Sequence, residues 1–126
     1  MKKETMTTTK IQVLNGKVDG WIGEDKVYIG RSCYELVGSL LANPFPISKR
    51  CTREESIAQY KRWLFEAYRL KEDVYHEVNR LAAKVRQGDT VKLMCWCSPL
   101  ACHGDIIVEF INYINKKHNE QQMETV

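Results

Sequence analysis

Three cysteines and a histidine fall within nine positions of one stretch, "CWCSPLACHGD", Cys95 to Asp105. Thiolate sulfur and imidazole nitrogen are the donors zinc prefers, so Cys95, Cys97, Cys102 and His103 form a candidate metal set. The spacing departs from the two separated ligand pairs of familiar zinc sites, and adjacent residues such as Cys102 and His103 tend to diverge. The same residues suit thiolate chemistry. A cysteine at a helix N-terminus has its thiolate stabilised by the helix field, and a neighbouring imidazolium adds to this. Cys102 is better placed for that role than Cys95, which lies deeper in the preceding run. His103 titrates near neutrality and suits an acid, a base or a donor to phosphate. Cys102 and His103 are thus the candidate catalytic pair. Packing competes for Cys95, because cysteine is among the most buried residue types. Helix capping competes for His103, Gly104 and Asp105, since an acidic first turn favours the helix dipole with or without a ligand.

A strand and a helix must hold this turn. "TVKLMCWC" is a β-type run, short and apolar enough to be an interior strand. Beyond Gly104, Ile106, Ile107, Phe110, Ile111 and Ile114 mark an amphipathic helix. Upstream, Thr52 and Glu55 form a capping-box pattern that predicts a helix from about Arg53, carrying Ile57, Tyr60, Trp63, Leu64 and Ala67 at helical spacing. A second periodic set, Val74, Val78, Leu81, Ala82 and Val85, runs to Gly88. "KVYIGR" gives a short strand, Val27 to Ile29, ended by Gly30. Asn15-Gly16, set between short apolar runs, predicts a β-hairpin. Strand, long helical connection, strand, helix is the rhythm of a parallel sheet with covering helices. The expected fold is α/β: a small Rossmann-like layer with a short, mostly parallel sheet, covering helices and an N-terminal β-hairpin. A single domain over residues 10–118 is expected, with polar, disordered tails at 1–9 and 119–126.

A chain of 126 residues suits one compact domain, and 44% hydrophobic with 28% charged residues can build a core without metal or disulfides. The net charge of +3 is too mild to announce nucleic-acid binding. No apolar stretch approaches a membrane span, and "MKKETMTTTK" lacks the apolar core of a signal peptide, so a cytoplasmic, reducing setting is the expectation. Five cysteines, three of them crowded together, read as thiols, ligands or packing groups rather than a disulfide framework.

"VYIGR", "NPF", "REESIAQYKRWL" and "CWCSPLACHGD" occur in the order found in domain-of-unknown-function family 4326 of bacteria and phages, which the chain resembles from about Val27 to Phe110. Ala42 stands where that family carries Gly before "NPF". More loosely, the strand–Cys–Pro–Cys-His–helix ending is similar to domain-of-unknown-function family 488, with Gly104 at the position of its Arg. The resemblance implies a fold and selects residues; it implies no reaction.

Open α/β sheets gather ligands at the carboxyl ends of their strands, where helix N–H groups suit an anion. Cys97, Gly104 and Asp105 lie at one such end. Tyr28, Gly30 and Arg31 lie at another, where the guanidinium fork suits phosphate or carboxylate, unless Arg31 is simply a surface residue after a turn. Asn43 suits a base, a ribose or its own turn. The leading functional expectation is a small cytosolic protein that binds, processes or sequesters a nucleotide or nucleotide-like phosphorylated metabolite at this turn. The alternative is a zinc-stabilised interaction module using Cys95, Cys97, Cys102 and His103, without a small-molecule site. Nucleic-acid binding through Lys49, Arg50, Arg53, Lys61 and Arg62 ranks last, because Glu54 and Glu55 interrupt those charges.

Overall fold

A computed structural model describes residues 10–33, 35–98 and 100–124, with side chains through residue 121. Three short strands form one parallel sheet: β1 (Ile11–Asn15), β2 (Lys26–Tyr28) and β3 (Val91–Cys95). Their order is β1-β3-β2, so the last strand in sequence lies in the middle. Its composition explains this: an interior parallel strand must be apolar on both faces, and in "VKLMC" only Lys92 is not buried. β1 pairs with it from Ile11↔Val91 to Asn15↔Cys95, and β2 from Lys26↔Lys92 to Tyr28↔Met94.

Four helices complete the architecture. A single turn, α1 (Gly16–Asp19), follows β1. α2 (Arg53–Leu70) starts at the expected capping box, with Thr52 and Glu55 satisfying each other's free N–H groups. α3 (Glu72–Arg86) follows after Lys71 alone, and α4 (His103–Glu124) ends the described chain. The buried residues of α2, α3 and α4 (Tyr60, Leu64, Val78, Leu81, Ile107 and Ile111 foremost) join Val91, Leu93 and Cys95 in one core cluster. Met94, also fully buried, alternates to the opposite sheet face. Trp21 lies edge-on to Tyr28 and against Trp96, their ring centroids 5.5 and 4.3 Å away.

The expected N-terminal hairpin is not formed. β1 and β2 each pair with β3 and not with each other, and the Asn15-Gly16 dipeptide has another use. The Asn15 carboxamide oxygen accepts from the Lys17 N–H and caps α1, while its NH2 group donates to the Ser98 and Trp96 carbonyls. Gly16 is glycine because a Cβ there would sit 2.1 Å from the Trp21 ring. The apolar residues that suggested a return strand, Val18 and Ile22, are 79% and 85% exposed. The last helix continues to Glu124, through most of the segment from 119 expected as a tail. The tail expected at 1–9, and residues 125–126, lie outside the described residues. Among the described residues no helix is long and apolar enough to cross a membrane.

Candidate functional site

The carboxyl ends of β2 and β3 open on a cleft of about 150 Å³. Gly30 and Arg31 enter it from the end of β2, and Cys95, Trp96 and Cys97 from the end of β3. His103, first residue of α4, closes one side. The remaining wall is Asn43, Pro46 and Ile47 from the long connection, with Ser56 of α2. The structure therefore brings Gly30, Arg31, Asn43, Cys97 and His103 together, as the sequence implied.

His103 is buried, and its Nε2 lies 2.7 Å from the Ile29 carbonyl oxygen. Burial pushes its pKa down, the Ile29 carbonyl opposes this, and nearby Arg31 adds to the depression. The ring is thus neutral at pH 7, and the proton it shares with a carbonyl must sit on Nε2. Nδ1 is then the acceptor nitrogen of the ring. Tyr60 fixes the ring from behind, edge-on at 5.0 Å between centroids. Tyr60 is itself held by its hydroxyl, which donates to the Leu41 carbonyl at 2.7 Å.

The two buried thiols form a pair. Cys102 Sγ lies 3.6 Å from Cys95 Sγ. The Cys102 thiol donates to Cys95, which lowers the Cys95 pKa to about 6 against the opposing effect of burial; the Ser98 and Cys97 N–H groups assist. The Ser98 N–H donates to that sulfur at 3.3 Å. The same bond, burial and the Cys95 charge push Cys102 up. The contact thus favours ionisation of Cys95 over that of Cys102. Of the two, Cys95 lines the cleft and Cys102 does not.

The start of α4 is closed by its own residues. Cys102 is the residue before the first turn, and its Sγ accepts from the Gly104 N–H at 3.3 Å. The Asp105 carboxylate accepts from the Cys102 N–H at 3.1 Å, and the Asp105 N–H donates to the Cys102 carbonyl. Reciprocal bonding of this kind is a capping box with sulfur in place of the usual hydroxyl. Two of the helix N–H groups expected to cradle a phosphate, those of Gly104 and Asp105, are consequently taken, and the Asp105 carboxylate caps the helix. Gly104 is a packing position: a Cβ there would meet Val13 Cγ1 at 2.9 Å and Ile29 Cδ1 at 3.0 Å. Gly104→Val is expected to lower stability by about 1–3 kcal/mol, the usual cost of overpacking, and urea unfolding reads it. Unchanged stability would mean that α4 does not press on the sheet there. Tyr28 is not among the residues that line the cleft. Its hydroxyl donates to the Arg31 carbonyl at 2.6 Å and accepts from Trp96 Nε1 at 3.0 Å.

Residues 13–113 match the protein family described as Domain of unknown function (DUF4326). The chain belongs to this family. The match runs from β1 well into α4 and includes every residue of the cleft. No curated protein matches the chain, and no solved structure does.

In this DUF4326 chain the zinc set does not assemble. Nε2 of His103 is committed to Ile29, Cys95 and Cys102 are committed to each other, and among the described residues no group of three or more His, Cys, Asp or Glu converges to hold a metal. The basic set expected last for nucleic acid is partly occupied as well: Arg53 Nη1 donates to the Ala101 carbonyl, and Lys61 pairs with Glu109. Ser56 was not read from the sequence. Its hydroxyl donates to the Phe45 carbonyl and accepts from Asn43 Nδ2, while Asn43 Oδ1 accepts from the Phe45 N–H. The cleft wall is braced by these bonds, which engage both ends of the Asn43 carboxamide. A lone serine on a helix face carries no sequence signal for that.

A larger groove of about 440 Å³ lies between α2 and α4, walled by Leu64, Phe65, Ile106, Phe110 and Tyr113. It is almost wholly apolar, with Lys61, Arg62 and Glu109 as its charged members, and it holds no thiol or imidazole. Ligand sites combine apolar walls with convergent polar groups, which favours the smaller cleft.

Proposed function

We propose that this protein binds a nucleotide or nucleotide-like phosphorylated metabolite at the β2–β3 cleft, with Arg31 contacting the anion. The observation that carries this is which polar groups are left uncommitted. Asn43 and Ser56 are satisfied within the wall. The Arg31 guanidinium has no hydrogen-bond or ion-pair partner among the described residues, and His103 and Cys97 share the cleft with it. A fork of donors beside a neutral imidazole suits a small anionic molecule.

Size limits the mode. Sites that engulf drug-sized ligands run from roughly 300 Å³ upward, and this cleft has about half of that. It takes one moiety of a nucleotide, the remainder lying outside over Arg31, which is exposed. The test is a titration of the reduced protein with nucleoside phosphates and their dephosphorylated nucleosides, followed by Trp fluorescence and thermal shift. Binding that needs the phosphate is expected. A panel without any binder, or nucleosides that bind as tightly as nucleotides, overturns the proposal. Mass spectrometry of the recovered ligand distinguishes turnover from simple retention.

A further inference from the structure

Cys95 and Cys102 have a geometry that ligand binding alone does not use. Cys95 lines the cleft, and the sulfur of Cys102, which is not part of the cleft wall, lies 3.6 Å from the Cys95 sulfur. Both are buried, at 2% and 4% exposure, so the cleft is the approach to the front sulfur. Backbone donors steady each one, Ser98 N–H on Cys95 and Gly104 N–H on Cys102. Sulfurs already in contact need only a small closure to reach the bond length of about 2.05 Å.

We propose that Cys95 and Cys102 are a thiol–disulfide exchange pair, in which Cys95 attacks a low-molecular-weight disulfide admitted through the cleft and Cys102 resolves the product. The Cys95 thiolate forms a bond to one sulfur of the disulfide, whose S–S bond breaks and releases its other half as thiolate. Cys102 gives its proton to that departing thiolate. Cys102 Sγ, now a thiolate, then bonds to Cys95 Sγ, and the second half leaves as thiolate and takes its proton from water. The chain's dithiol is oxidised by two electrons, and the small disulfide is reduced to two thiols. The lowered pKa of Cys95 fits the attacking role, because the thiolate is the nucleophile. Cleft size fits a co-substrate that inserts one narrow half. This activity is independent of the nucleotide proposal, which is tested on reduced protein.

The probe is glutathione disulfide at pH 6.5, where ordinary thiols, with pKa near 8.5, react slowly. After acid quench, peptide mapping locates each cysteine's partner. The expected product is a Cys95–Cys102 disulfide with about two glutathione thiols released per chain. In Cys102→Ala the reaction stops with glutathione retained on Cys95. Free thiols at both Cys95 and Cys102, with glutathione on Cys97, Cys33 or Cys51 or with no reaction at all, overturn the proposal. The wild-type map decides the matter even if the variant does not fold.

Discussion

Arg31→Ala is expected to weaken binding of a nucleoside phosphate by about ten- to a hundredfold while leaving the fold intact. A hydrogen bond to a charged group contributes about 1.5–3 kcal/mol, and about 1.4 kcal/mol is tenfold in affinity. The guanidinium brings this cost into binding rather than stability, because Arg31 is exposed and its side chain has no partner among the described residues. Surface changes of that kind usually move stability by less than about 0.5 kcal/mol. Arg31→Lys is the control: it keeps the charge but loses the planar fork, so an intermediate affinity is expected. Titration of the three proteins checks this. Equal affinities would remove Arg31 from the site.

The second large effect concerns the strand that carries the site. Leu93→Ala is expected to cost about 2–5 kcal/mol, the range for emptying a well-packed core position. Leu93 is fully buried at the middle of β3, in register with Val13 of β1 and Val27 of β2. A cavity there loosens all three strands and the helix core above them. Domains are stable by only about 5–15 kcal/mol, so the variant sits near the edge of folding and its urea midpoint falls steeply. A loss below about 1 kcal/mol would mean that the sheet is not organised around β3.

Legibility in the sequence followed the range over which each signal acts. The α2 start was readable because a capping box is local: Thr52 and Glu55 need only each other. The interior strand was readable because near-continuous apolar character is what burial on both faces requires, and "VKLMC" has it. Asn15-Gly16 misled for the opposite reason. The dipeptide permits a hairpin but does not impose one; the competing bonds come from Trp96 and Ser98, some eighty residues away. The parallel register with β3 then decides against the hairpin.

The site was half legible. Arg31, Cys97 and His103 were placed together by the rule that ligands gather at strand ends, and they do share the cleft. The pairing of Cys95 with Cys102 was not legible. It depends on a 3.6 Å sulfur contact and on whether the Ser98 and Gly104 N–H groups point at sulfur, which spacing along a chain does not specify. Asp105 similarly reads as anion-site chemistry until its carboxylate is seen on the Cys102 N–H.

A crystal structure with the tightest nucleotide from the titration panel examines the whole account at once. The phosphate is expected within hydrogen-bond reach of Arg31, with another part of the molecule against His103 and Trp96. The same nucleotide seated in the apolar groove between α2 and α4, with the β2–β3 cleft empty, would contradict it.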